Sequence, residues 1–311
     1  MNLGYIIRRA IESVLLLLGV TIIVFLLLRI TPSDPAAIML GEYATPEAIA
    51  SLRESLGLNK PLHEQYLSYL SSLLMGDWGV SIRSQRPALA LVTERLPATA
   101  ELAAVAMFFT LLISIPIGII AAIKRNSAID GFSMLGALIT QSVPGYWLGL
   151  MLIILFAVVL NLLPSSGRGS WYHLILPGVT LASFLIGLIT RLTRSCMLEV
   201  LQQDYLRTAR SKGLSERVVM LRHALKNAMI PVITVVGLQV GNLLGGAVVT
   251  ETVFAWPGIG SLAVVSIYQR DYPVVQAVVL LSAAVFVIIN FLLDVIYQWL
   301  DPRISYAGHV H

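Results

Sequence analysis

Six runs of about twenty residues, each almost free of charge, leave this sequence few ways to fold. A helix needs about 20 residues to cross a hydrocarbon layer of about 30 Å, and only helices or closed barrels satisfy their backbone hydrogen bonds there. The runs lie near 10–30, 99–123, 135–160, 174–194, 229–250 and 274–298. They predict an all-α membrane protein with six transmembrane helices. Pro144, Gly145 and Pro177 predict interruptions in the third and fourth. Only 12% of the 311 residues are charged, about half the share of a water-soluble domain, which excludes a soluble fold. A single cysteine, Cys196, excludes an intramolecular disulfide and a cysteine-held metal cluster. Arg8 and Arg9 precede the first run as in a secretion signal. The core from Val14 to Leu28 is long for a signal and no small-residue cleavage pattern follows, so it reads as a retained helix.

Basic residues orient the bundle. A cytoplasmic N-terminus puts 13 of the 21 Lys and Arg residues on the inner side. The two short outer loops then keep only Arg168 and Arg270, so both termini are predicted to be cytoplasmic. The +4 net charge follows from this asymmetry, without any nucleic-acid partner. In the outer segment, Thr45-Pro46-Glu47 has the form of a helix cap, a first-turn proline and a first-turn acid, and Gly57 that of a helix end. After Pro61, the residues Leu62, Tyr66, Leu70 and Leu73 share one helical face. The segment either caps the outer mouth or docks a soluble partner.

The inner loop 195–228, between the fourth and fifth runs, is the most informative stretch outside the membrane. Asp204 suits a helix N-cap, and Gly213 suits the left-handed position that ends a short helix. Ser215 then caps a second helix whose Val218, Leu221, Leu225 and Met229 share a face. The pattern is a helix-turn-helix, apolar beneath and basic above. A loop that only fixed topology by charge would need no such register. A short rigid helix projecting from a bundle is what a force-transmitting contact requires.

The run Asp204-Tyr205-Leu206-Arg207-Thr208-Ala209-Arg210, then Lys212-Gly213-Leu214, is followed by His223-Ala224-Leu225, Asn227-Ala228 and Pro231. Together they resemble the inner-loop signature of binding-protein-dependent ABC importer permeases, in the dipeptide, oligopeptide and nickel branch. Arg207-Thr208-Ala209 stands where the wider family has Glu-Ala-Ala, and Lys226 where it has proline, departures that fit the branch. Gly76–Ser81, Glu251–Gly260, Asp271–Val274 and Asp301-Pro302-Arg303 resemble further blocks, so the likeness spans nearly the full length. It implies the type I ABC importer permease fold. In that fold 1–30 is an N-terminal transmembrane helix, 31–92 a periplasmic segment, 93–300 the permease core and 301–311 a cytoplasmic tail. It implies that the helix from Asp204 to Leu214 is the coupling helix, seated in a groove of an ATPase subunit. The implied partners are a second permease subunit (paralogous or identical), two ABC ATPase domains and a periplasmic or extracytoplasmic solute-binding protein, in a bacterial inner membrane. The implied activity is uptake of di- or oligopeptides or a similar small solute. ATP and Mg sit on the partner ATPases, and no cofactor on this chain.

What the chain lacks agrees with this division of labour. It has no Gly-x-x-x-x-Gly-Lys-Ser/Thr phosphate loop, no His-Glu-x-x-His and no Gly-x-Ser-x-Gly, so an enzyme is not expected. The runs hold very few ionisable residues, and Glu12, Arg29, Glu101 and Asp294 all sit near helix ends. An ion-coupled carrier or channel subunit, which needs charges deep in the membrane, is therefore the alternative reading. A scaffold subunit without a pathway is a third. Gln239 and Asn242, and Gln141 and Ser142 beside Pro144-Gly145, must face protein or water, since an amide in lipid forfeits its hydrogen bonds. They either bond between helices or line a pathway. Gly237, Gly241 and Gly245 form a stripe for close helix packing. Phe254, Trp256 and Pro257 form either a turned apolar plug at the outer mouth or an interfacial aromatic anchor.

Overall fold

A computed structural model describes residues 3–30, 35–40, 45–55 and 57–300. The helices are α1 (Leu3–Ile30), α2 (Pro35–Leu40), α3 (Pro46–Ser55), α4 (Leu62–Leu74), α5 (Ala88–Ile123), α6 (Ala128–Ser142), α7 (Gly145–Leu152), α8 (Ile175–Leu201), α9 (Asp204–Ser211), α10 (Glu216–Val218), α11 (Leu225–Val253), α12 (Ile259–Tyr268) and α13 (Tyr272–Leu300). π-helical turns extend α7 through Ile153–Val159 and join α10 to α11 through Val219–Ala224. Among the described residues there is no strand, only an isolated bridge between Val80 and Pro87. Asp301-Pro302-Arg303 and the side chains of Arg29 and Asp294 lie outside the described residues.

Among the described residues, five helices are long and apolar enough to cross a membrane unbroken. The sixth crossing is the pair α6 and α7 with its π-helical extension, bent by 103°. The proline ring disfavours helical backbone in the residue before it, and Val143 is accordingly extended, with ψ 125°. At 15 residues α6 reaches only about 22 Å, so neither half spans alone. The predicted interruption at Pro177 does not occur. Pro177 falls in the first turn of α8, where a missing N–H has no helical partner to lose. The second crossing begins earlier than expected, at Ala88, and α5 continues through Pro97. The third also begins early, at Ala128, because Ser127 Oγ accepts the Asp130 N–H as a cap.

The described residues fall into two compact units, those within 3–97 and 259–295, and those within 98–258 and 296–300. In the first, α4 packs on α1 by inserting Phe25 between two tyrosines. It meets Tyr66 edge-on at 5.4 Å and stacks on Tyr69 at 5.9 Å, while the Thr21 and Tyr66 hydroxyls lie 2.9 Å apart. The predicted stripe keeps Tyr66, Leu70 and Leu73, but Leu62 is 54% exposed and Tyr69 takes its place. The buried Asp271 pins the chain ahead of α5, accepting from Ser81 Oγ at 2.5 Å and Ile82 N at 3.1 Å.

In the second unit α8 is the centre, packed against α6, α7 and α11. Gly187 lets α6 approach it closely, since a Cβ there would lie 2.4 Å from the Ala137 carbonyl oxygen. Ala103, Ala106, Ala182, Leu185 and Leu243 fill the space between α5, α8 and α11.

Candidate translocation cavity and inner-loop contact

The break between α6 and α7 borders a cavity of about 580 Å³. Gln141, Ser142, Pro144 and Tyr146 line it at the break, with Thr180, Ser183 and Phe184 from α8 and Gln239 and Asn242 from α11. The four polar residues singled out from the sequence therefore surround one space. Arg191 Nη1 donates to Gln141 Oε1 and Asn242 Nδ2 to Gln239 Oε1, both at 3.0 Å. With both glutamine oxygens engaged, what these side chains still offer is mainly N–H donors. The hydroxyls donate to their own helices, Ser142 to Leu138 O, Thr180 to Leu176 O and Ser183 to Thr180 O, leaving oxygen lone pairs as acceptors. None of the described residues lining the space is an Asp, Glu, Lys or Arg. Neutral donors and acceptors on apolar walls can pass a polar solute without the tight hold that a buried charge would give. Of the glycine stripe on α11, Gly237 and Gly241 are buried, whereas Gly245 is exposed with open space around it.

Val249 and Thr250 line the cavity and lead into the turn after α11. Phe254 and Trp256 are each 1% exposed, so they fill protein interior and do not anchor at a lipid interface. Trp256 Nε1 donates to Ala98 O at 2.9 Å, and Gly167 N donates to Phe254 O at 2.9 Å. The carboxylate of the fully buried Glu251 accepts from Thr99 Oγ1 at 2.6 Å. Arg168 pairs with Glu101 at 2.6 Å and lies 5.7 Å from the Trp256 ring centre. Pro257 is half-buried, and Ala255 makes the turn with a left-handed φ of 47°. Nothing in the sequence separated buried aromatics from exposed ones beside Pro257-Gly258.

In the loop 195–228, Gln203 holds the cap position of α9, and Asp204 is its first helical residue. Asp204 does not cap. Its carboxylate sits in the first turn, 3.6 Å from Arg207, where the helix dipole favours an acid. Gly213 adopts the predicted left-handed conformation, with φ 79°. Leu206 is fully buried and Ala209 nearly so, packed with Ala122, Met197, Val219, Ala224 and Ala228. An eight-residue helix is unstable alone, so this root orders it, and burying one leucine contributes about 2 kcal/mol. Asp204, Tyr205, Arg207, Thr208, Arg210, Lys212, Gly213 and Leu214 project outward. Arg210 pairs with Glu216 at 2.9 Å across the turn, and Asn227 Nδ2 donates to the Tyr205 hydroxyl at 2.8 Å. The predicted face of the second helix is displaced, with Val218 and Leu221 exposed and Val219, Ala224 and Ala228 buried. The π-helical turn at Val219–Ala224 widens the winding and rotates the face.

One polar pair escaped the sequence reading. Asp130, 4% exposed, accepts from Arg194 Nε at 2.6 Å, Arg194 Nη2 at 2.7 Å and Asn126 N at 3.0 Å. Half of it was visible, because Ser127-x-x-Asp130 is a helix-start pattern. The arginine was not, being one of several in a basic stretch.

Residues 114–306 match the family described as binding-protein-dependent transport system inner membrane component, and residues 2–103 match that of its N-terminal membrane component. The chain is 44% identical to the dipeptide transport system permease protein DppB of Alkalihalophilus pseudofirmus, over 98% of this chain and 100% of that protein. It is also 44% identical to the glutathione transport system permease protein GsiC of Salmonella paratyphi A, over 98% of this chain and 99% of that one. Among solved structures, the MetNI methionine ABC transporter in inward-facing conformations superposes with a TM-score of 0.59 at 20% identity, over 69% of this chain and 98% of that chain. An amino acid ABC transporter superposes with a TM-score of 0.51 at 13% identity, over 67% of this chain and 94% of that chain.

Proposed function

The chain belongs to the binding-protein-dependent transport system inner membrane component family, and from that premise we propose how it works as the permease subunit of an ATP-binding-cassette importer. Membership sets aside the ion-coupled carrier or channel. The chain forms half of a pathway for di- or oligopeptides or a similar small solute, delivered by an extracytoplasmic binding protein. A second permease subunit supplies the other half, and two ATPase domains hold ATP and Mg. Both termini of the chain lie in the cytoplasm.

The observation that carries this reading is the division of α9 into a buried root, Leu206 and Ala209, and a projecting face that includes Arg207, Thr208 and Lys212. Such a helix takes up a push from an ATPase groove and passes it through Met197 to α8 and through Ala224 and Ala228 to α11. Both helices wall the cavity, so movement of α9 changes the space between Gln141-Ser142 and Gln239-Asn242. Reconstitution with the ATPases and binding protein tests this. Uptake of a labelled dipeptide that requires ATP hydrolysis is expected. Uptake without ATP, driven by an ion gradient, would overturn the reading.

A further inference from the structure

We propose that Asp130 and Arg194 are positioning residues of the transport cycle, a clamp that makes α6 follow α8 when α9 is displaced. The inference rests on the reading of α9 as the point of input. Arg194 lies just under one helical turn before Met197, the α8 residue on which the root of α9 packs. Its guanidinium grips the first turn of α6 with two nitrogens, Nε at 2.6 Å and Nη2 at 2.7 Å from the Asp130 carboxylate. A forked contact of this kind fixes direction as well as distance, which a single ammonium does not.

The clamp is the inner end of a continuous seam. Gly187, Arg191 and Arg194 recur at four and three residues, one face of α8. Arg194 holds Asp130, Arg191 donates to Gln141 at 3.0 Å, and Gly187 sits against the Ala137 carbonyl. From Asp130 to Gln141, α6 runs about 16 Å, which carries the seam from the inner loop to the cavity wall. Asp130 also accepts the Asn126 N–H at 3.0 Å and Ser127 caps α6, so the local turn is held within 126–130. The pair with Arg194 adds to it a link to α8. A pair placed between the root of α9 and the wall at Gln141-Ser142 is suited to transmit movement.

The test uses the assembled importer in proteoliposomes, reading solute taken up per ATP hydrolysed. Asp130→Asn is expected to lower that ratio about tenfold, within the usual range of coupling between distant sites. Asp130→Glu should retain most of it, and the exchange Asp130→Arg with Arg194→Asp should recover part of the loss. If Asp130→Asn fails to assemble, Arg194→Lys keeps the charge without the fork and should lower the ratio about threefold. A wild-type ratio in Asp130→Asn or, where that does not assemble, in Arg194→Lys overturns the clamp. Leu206→Ala serves as the control on the underlying reading. If it uncouples while the clamp variants do not, only the clamp fails, and if it too leaves the ratio unchanged, the input at α9 fails as well.

Discussion

Gly213 offers a way to perturb the inner loop through its backbone alone. A Cβ added there meets no atom within 4 Å, so a side chain brings no clash. The φ of 79° is another matter, because L-residues enter the left-handed region at a cost of about 1–2 kcal/mol. Asparagine tolerates that region best and β-branched residues least. For valine we take the upper figure, about 2 kcal/mol, which is a change of roughly 30-fold in the ratio of seated to unseated turn. What opposes it locally is modest: the Gly213 N–H bonds Arg210 O at 2.9 Å, and the Lys212 N–H bonds Thr208 O at 3.1 Å. ATP-driven uptake, normalised to assembled complex, should therefore fall in the order Gly213, Gly213→Asn, Gly213→Ala, Gly213→Val. The valine variant should lose up to about 30-fold. Equal uptake across the series would refute the reasoning, since the left-handed turn would then play no part in coupling.

Further outcomes follow from the same structure. Leu206→Ala removes the root of α9 at a cost of about 2–5 kcal/mol, so limited proteolysis should cut the inner loop faster in that variant, and an unchanged rate counts against a seated helix. The Tyr69 hydroxyl is buried without a hydrogen-bond partner, and burial, aided by Tyr66, pushes its pKa up to about 12. Tyr69→Phe should accordingly be neutral or stabilising by about 1 kcal/mol in thermal unfolding of the purified chain, and a clear loss would reveal a partner for that oxygen. Gln239→Leu combined with Asn242→Leu replaces the polar face of α11 at the cavity and should slow uptake severalfold in assembled importer. Undiminished uptake would favour a scaffold role.

The crossings were legible because a membrane span is a property of composition over twenty residues. The break at Pro144 was legible because the constraint on Val143 is purely local. Pro177 misled because the same residue is harmless in a first turn, and where that turn begins depends on the packing of α8. The displaced face after Ser215 comes from a π-helical turn, a winding choice settled by tertiary contact. Gln141, Ser142, Gln239 and Asn242 could be named separately as polar residues in apolar runs. That they enclose one space depends on how α6 and α11 meet α8. Arg194 stayed hidden among the inner arginines, because its partner Asp130 is distant in sequence.

The most direct test of the account is disulfide trapping between α9 and the ATPase. Arg207 projects with 82% of its side chain exposed, and Cys196 is the sole native cysteine. In a Cys196→Ser background, Arg207→Cys should cross-link to a cysteine placed in the ATPase surface groove, with a yield that changes between nucleotide-free and ATP-bound complex. A cysteine at Leu206, which faces inward, should not react until the helix is unseated. If Arg207→Cys stays free in an assembled, transporting complex whatever the nucleotide, α9 is not the contact through which ATP drives this permease.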